Sequence, residues 1–226
     1  MQGKVLIVTG ALGALGKVVA ETALARGARV AGIDHAPSQI SGMPERIEIG
    51  GVDLSDAAQA KTAVEAAARH FGGLDVLVNI AGGFAFETVG DGDVKTWQRM
   101  HALNVLTALN ASQAALPHLA ASKAGRIVNI GAMGALQAGS GMGPYAASKA
   151  GVHRLTEALA SEWKGKVTVN AVLPSIIDTK ANRADMPKAD FAKWVTPQEL
   201  AEVILFLASD AASGVTGALI PVGGRV

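Results

Sequence analysis

Seven short, mostly apolar runs alternate with longer stretches of helical periodicity along the whole chain. Residues 4–9, 29–33, 46–49, 74–79, 126–130, 166–172 and 218–222 read as strands. Residues 14–26, 55–70, most of 94–121, 144–163 and 197–209 read as helices. A strand that is apolar without alternation is covered on both faces, and successive parallel strands need a crossover helix between them. The pattern predicts a doubly wound α/β domain, a parallel seven-stranded sheet with helices on both faces. No repeat, low-complexity tract or linker divides the 226 residues, so residues 1–226 read as a single domain, long enough to bury a core without staples.

Composition narrows the chemistry. There is no cysteine, which excludes disulfides, thiolate nucleophiles and Cys-ligated metal centres. Twenty basic against nineteen acidic residues leave a net charge of +1, without the basic excess of a nucleic-acid binder. His35, His70, His101, His118 and His153 are scattered without metal-ligand spacing, so no metal site is expected. Residues 102–122 and 127–148 lack charged side chains, but polar residues, a proline and glycines interrupt them, and neither reads as a membrane span. The apolar run after Met1 is too short for a signal-peptide core, so a cytoplasmic protein acting on a small molecule, with neither nucleic acid nor membrane as partner, is expected.

Between the first strand and first helix lies Thr9-Gly10-Ala11-Leu12-Gly13-Ala14-Leu15-Gly16. Glycines there permit a tight turn and let backbone N–H groups at a helix N-terminus approach a pyrophosphate, the arrangement of a Rossmann-type domain. Asp34 ends the second strand, 18 positions after Gly16, where a carboxylate can accept hydrogen bonds from ribose hydroxyls. No Lys or Arg occurs from His35 to Pro44 to clamp a 2′-phosphate, which Asp34 would also repel. NAD(H) is therefore expected over NADP(H).

Tyr145, the only tyrosine, and Lys149 are four residues apart in the helix after the fifth strand, on one helical face. An adjacent ammonium is expected to lower the phenol pKa and make it a usable proton donor.

With these motifs in order, the chain resembles a short-chain dehydrogenase/reductase from end to end. The matching pieces are the glycine turn, Asp53-Leu54, Asn79-Ile80-Ala81-Gly82, Asn104, Tyr145-x-x-x-Lys149, Pro174-x-x-x-x-Thr179, and Thr216-Gly217 with Gly223-Gly224. The resemblance implies that Gly10, Leu15 and Gly16 line the pyrophosphate region, Asp34 the adenosine ribose, and Asp53 and Leu54 the adenine. It puts Asn79, Ala81 and Gly82 beneath the cofactor, and Pro174, Ile177 and Thr179 at the nicotinamide end. Tyr145 would be the general acid, Lys149 would bind the nicotinamide ribose and tune the tyrosine, and Asn104 would hold a relay water. It also implies a homodimer or homotetramer, paired through the two long helices at 94–121 and 144–163.

The family's catalytic serine is missing: 13 residues before Tyr145 stands Ala132, which cannot donate a hydrogen bond to a substrate carbonyl. Ser140, five residues before the tyrosine, could substitute only by an unusual loop path. Ala14 replaces a motif glycine, and Ser175 stands where glycine commonly follows the proline. These departures resemble the dihydropteridine reductase branch, as do Phe84 after Ala81-Gly82-Gly83 and the segment from Leu173-Pro174 to Thr196-Pro197. That segment, about 175–197, reads as a substrate loop in which Arg183 and Asp190 either touch substrate or hold the loop shut. The branch implies NADH-dependent reduction of a quinonoid dihydropterin, with Phe84 against the flat ring, or packed only as a loop aromatic, and Ala132 on the substrate side. Two alternatives remain, a general carbonyl or 3-oxoacyl reductase lacking the serine, and a non-catalytic dinucleotide-binding protein.

Overall fold

In the computed structural model, which describes residues 1–37 and 43–226, the apolar runs form strands β1 (Val5–Thr9), β2 (Arg29–Ile33), β3 (Arg46–Ile49), β4 (Val76–Asn79), β5 (Gly125–Ile130), β6 (Val167–Pro174) and β7 (Leu219–Val222). They make one parallel seven-stranded sheet in the order β3-β2-β1-β4-β5-β6-β7. Five residues of the 35–44 stretch that lacks Lys and Arg, 38–42, lie outside the described residues. The helices are α1 (Ala14–Ala25), α2 (Ala57–Phe71), α3 (Val94–His101), α4 (Thr107–Ala121), α5 (Gly143–Glu162), α6 (Lys180–Asp185) and α7 (Pro197–Leu207).

Lack of alternation in the strands is explained by two cores. Val5, Ile7, Leu77, Ile127 and Val169 point to the face covered by α2, α4 and α5. Leu6, Val8, Val76, Val78 and Val172 point to the face covered by α1 and α7. The register levels Thr9, Ile33, Asn79 and Asn129 along one edge of the sheet. Because β1 lies between β2 and β4, the chain winds outward in both directions from it, and a crevice opens at these carboxyl ends.

Local chemistry sets the element ends. Asp56 is the N-cap of α2, accepting from the N–H groups of Ala58 and Gln59, so the helix starts at Ala57 and not at residue 55. Thr196 and Glu199 form a reciprocal capping box on α7. The expected long helix at 94–121 is divided: Ala102–Leu106 forms a π-helical turn between α3 and α4. A single wide turn of this kind re-aims the side chains on either side of it. Helix α6, in the segment after β6, has no counterpart in the periodicity, because its six residues are too few to show any. Among the described residues no helix is long and apolar enough to cross a membrane, and no cluster of His, Cys, Asp and Glu could hold a metal.

Candidate active site

A cleft of about 790 Å³ occupies the crevice. Of the expected cofactor residues, Gly10, Leu15, Gly16, Asp34, Asp53, Leu54, Ala81 and Gly82 line it. The glycine turn is shaped by contact as well as by dihedral angle. Gly10 has φ +64°, and a Cβ there would come 3.0 Å from Ala81. A Cβ on Gly16 would lie 2.1 Å from the Gly10 carbonyl oxygen, so only glycine fits. Asp34 ties this turn to β2: one carboxylate oxygen accepts the Leu12 N–H and the other the Ala36 N–H, both at 2.9 Å. Each oxygen retains a lone pair for a ligand hydroxyl. The Ser55 hydroxyl and amide, both donating to Asp53, hold its carboxyl below the ordinary range.

These residues fit a dinucleotide. Helices α2, α3 and α7 each have a side chain capping the N-terminus, whereas α1, which opens on the cleft at Gly13, has none. Its first-turn N–H groups and helix dipole remain available for an anion such as a diphosphate.

The wall opposite the glycine turn carries Arg99, Leu103 and Thr107, which the motifs in the sequence do not single out. Their four-residue spacing before and after Asn104 was the available signal. Asn104 itself lies in the π-helical turn and is fully buried. Its Nδ2 donates to the Gly83 carbonyl (3.0 Å) and the Ser148 hydroxyl (2.9 Å), and its Oδ1 accepts the Gly83 N–H (2.9 Å). The side chain thus ties the loop after β4 to α5. Asn79 lies inside the sheet and not on the cleft: its Nδ2 donates to Ser112 and Asn129, and Asn129 in turn donates to Thr156.

Tyr145 and Lys149, on the first turns of α5, do not themselves line the cleft; Lys149 lies just behind its Gly82 wall, where a Cβ on Gly82 would sit 3.5 Å from Lys149 Nζ. Lys149 is 6% exposed, and its Nζ donates to the Ile130 carbonyl at 2.8 Å. Burial pushes its pKa down to about 8. Tyr145 moves the other way from the expectation: burial pushes its pKa up to about 12. The expected lowering assumed an ammonium directed at the phenol, whereas here Lys149 is engaged by a backbone carbonyl and desolvation dominates the tyrosine. Phe84, 57% exposed, packs edge-on against the Tyr145 ring with centroids 5.0 Å apart. Ala132 is buried, with its N–H directed at His153 Nε2, and Ser140 is exposed on the neighbouring loop.

Pro174 ends β6, Ile177 bridges to Val195, and Thr179 caps α6 by accepting the Asn182 N–H. None of the three lines the cleft, although Pro174 is the carboxyl end of the strand beside β5 and Ile177 and Thr179 follow it. Arg183 is engaged within the loop, donating to both oxygens of Asp178 (2.5 and 2.7 Å) and lying 4.7 Å over the Phe191 ring. Asp190 caps the short turn at Phe191–Lys193, and Trp194 is buried. Arg183 and Asp190 therefore hold the loop together.

An open helix N-terminus on a glycine turn, an acid at the end of the second strand and a Tyr–Lys pair whose lysine stands behind the Gly82 wall of the same cleft define a dinucleotide-dependent oxidoreductase. The short chain dehydrogenase family pattern matches residues 4–190, and the chain belongs to that family. It is 32% identical to a 3-oxoacyl-[acyl-carrier-protein] reductase of Thermotoga maritima, the match covering 99% of this chain and 98% of the relative. It is also 32% identical to 2-(S)-hydroxypropyl-CoM dehydrogenase 3 of Xanthobacter autotrophicus, with 99% and 96% covered. Among solved structures, ligand-free aldohexose dehydrogenase of Thermoplasma acidophilum superposes with a TM-score of 0.90 at 27% identity, covering 99% of this chain and 94% of that one. Carveol dehydrogenase of Mycobacterium avium, in complex with NAD, superposes with a TM-score of 0.87 at 26% identity, with 99% and 97% covered.

Proposed function

We propose that this oxidoreductase uses NADH to reduce a flat, conjugated, electron-poor acceptor, a quinonoid dihydropterin being the acceptor of choice. The observation that carries the reading is Ala132: the residue 13 positions before the tyrosine has no hydroxyl with which to polarise a ketone oxygen. A conjugated imine needs a hydride and a proton more than it needs a polarised oxygen. Phe84, exposed beside the Tyr145 ring, offers an apolar surface for such a ring system.

A nicotinamide dinucleotide, when bound, supplies the hydride. Tyr145 supplies the proton from its hydroxyl and is reprotonated from solvent. In this reading Lys149 keeps one N–H on the Ile130 carbonyl and turns its remaining donors to the nicotinamide ribose, where its charge favours the phenolate. Gly10, Leu15 and Gly16 hold the diphosphate, Asp34 the ribose hydroxyls, Asp53 and Leu54 the adenine, and Ala81 and Gly82 the cofactor's underside. Pro174, Ile177 and Thr179 flank the nicotinamide. The side chain of Asn104 is already used, so a relay water would bind its backbone. Preference for NADH follows from the Asp34 carboxylate, which would repel a 2′-phosphate. Assembly is proposed as a homodimer or homotetramer through α4 and α5.

The 30–32% identity to several 3-oxoacyl reductases over nearly the full chain favours a second reading, reduction of a 3-oxoacyl thioester. NADH oxidation with freshly generated quinonoid dihydropterin, beside acetoacetyl thioester and simple ketones, separates the two. A dominant pterin rate supports the first reading, and turnover of thioester or ketones alone replaces it with the second. Tyr145→Phe should lower turnover at least about 10²-fold with NADH binding retained.

A further inference from the structure

The backbone corner at residues 130–132, where β5 ends, is gripped at two points by side chains one turn apart on α5. Lys149 Nζ donates to the Ile130 carbonyl at 2.8 Å, and His153 Nε2 accepts the Ala132 N–H at 3.3 Å. Between them the Gly131 N–H donates to the Val172 carbonyl, which anchors the corner to β6. We propose that His153 is a positioning residue: its neutral imidazole holds the 130–132 corner so that Lys149, docked on the same corner, stays in register with Tyr145. The proposal rests on the roles given above to Tyr145 and Lys149 and not on the identity of the acceptor.

Three observations separate this from simple packing. His153 is 2% exposed and its acceptor nitrogen meets a main-chain N–H that would otherwise be buried without a partner, which an apolar residue of the same volume would leave orphaned. Gly131 is shaped to the ring: a Cβ there would lie 2.5 Å from His153 Nε2 and 2.7 Å from Cδ2, so the imidazole occupies the space a side chain would take. The clamp also works only with the ring neutral and its proton on Nδ1, because an Nε2–H would face the Ala132 N–H donor to donor.

The electrical surroundings hold that state. Burial first, and then the cationic Arg154 and Lys149 on α5, keep the pKa of His153 below its ordinary value, while Glu157, the carboxylate one turn on in α5, is paired with Arg154 at 2.9 Å. Strand β6 carries no titratable side chain, β5 carries none after Arg126, and the short turn at Met133–Ala135 and the π-helical turn at Ala102–Leu106 carry none. Helix α3, which also packs on α5, adds Lys95, Arg99 and His101. No carboxylate on these strands, turns or α3 favours protonation. Acidification far enough to charge His153 breaks the contact to Ala132 and sets a second cation beside Lys149.

The test compares His153→Met, which fills the space without an acceptor, with His153→Gln, whose Oε1 can accept the Ala132 N–H and does not titrate. Turnover is measured with whichever acceptor the protein reduces, across pH 5 to 9. His153→Met should lower kcat about tenfold at pH 8 with the NADH Kd within twofold of the parent, a cost of misplacement and not of binding. His153→Gln should retain several-fold more kcat than His153→Met, and its acid limb should lie at lower pH than the parent's. Gly131→Ala should behave as His153→Met does. A His153→Met protein with parental kcat, or a His153→Gln profile whose acid limb coincides with the parent's, overturns the proposal. The histidine ¹⁵N spectrum of the unmodified protein tests the clamp independently if a variant fails to fold or no acceptor is turned over. A neutral Nδ1–H tautomer persisting below pH 6 supports the clamp, and an Nε2–H tautomer or titration at the ordinary histidine value overturns it.

Discussion

Phe84 and Tyr145 meet edge to face, their ring centroids 5.0 Å apart at 72°, although they belong to different segments of the site. One follows β4, the other opens α5. Such a pair contributes about 0.5–1.5 kcal/mol beyond its buried area. If Phe84 stacks on a planar acceptor with a similar energy, Phe84→Ala should raise the KM for that acceptor about two- to tenfold, with kcat and the NADH Kd changed much less. Steady-state kinetics with cofactor binding followed by fluorescence checks this, and an unaltered KM would remove Phe84 from the acceptor site.

Restoring the hydroxyl at position 132 is the complementary experiment. The main-chain contact from Ala132 to His153 does not depend on the side chain, so Ala132→Ser adds a donor without breaking the corner. One donor to a developing oxyanion is worth about 10²–10³ in rate. Ketone or thioester turnover should rise about 10–100-fold, with pterin turnover little changed. A variant with no gain on any carbonyl substrate would show that position 132 does not face the reacting atom.

Lys149 is a stability liability whose size depends on pH. In the folded, cofactor-free protein its pKa is pushed down to about 8 from 10.5, so between those values the unfolded chain binds more protons than the native one. Stability contributed through this group consequently rises with pH across that window and is lower by about 3 kcal/mol below it. Lys149→Met removes the buried charge. The variant should gain melting temperature relative to the parent at pH 6 and lose most of that gain at pH 10.5, while turnover falls at least about 10²-fold. A stability difference independent of pH would contradict the assignment.

Asp34 has two tasks, and one substitution exposes both. Its carboxylate accepts from Leu12 and Ala36 and so shapes the cofactor turn as well as carrying the charge. Asp34→Asn should cost about 1 kcal/mol through the weakened turn contacts. It should also shift the ratio of kcat/KM for NADPH over NADH upward at least about tenfold, because repulsion of a 2′-phosphate is removed. Thermal melts and the two cofactor titrations read these effects separately, and an unchanged ratio would assign Asp34 to the turn alone.

Most of the architecture, and most of the residues that line the cleft after β1 and β2, were readable from residue type and spacing. Unbroken apolar strands require cover on both sides, a glycine turn after the first strand requires a helix N-terminus beside it, and Asp34 had to end the neighbouring strand. Tyr145 and Lys149 were readable as neighbours because four residues make one helical turn. What could not be read was anything set by an interruption of regular structure or by contact across the fold. The π-helical turn around Asn104, the six-residue α6 and the use of Arg183 by Asp178 leave no periodic trace.

The sequence by itself determined the fold class, the sheet, the glycine turn and acid that line the cleft and the absence of a hydroxyl at position 132, because each follows from local pattern or from counting along the chain. The tertiary structure decided the electrostatics and the partners. Whether Lys149 faces a phenol or a carbonyl, whether Tyr145 is raised or lowered, and whether His153 is packing or clamp depend on which groups from α5 and the end of β5 share a buried space. Desolvation and hydrogen bonding act through that space, and spacing along the chain does not encode it.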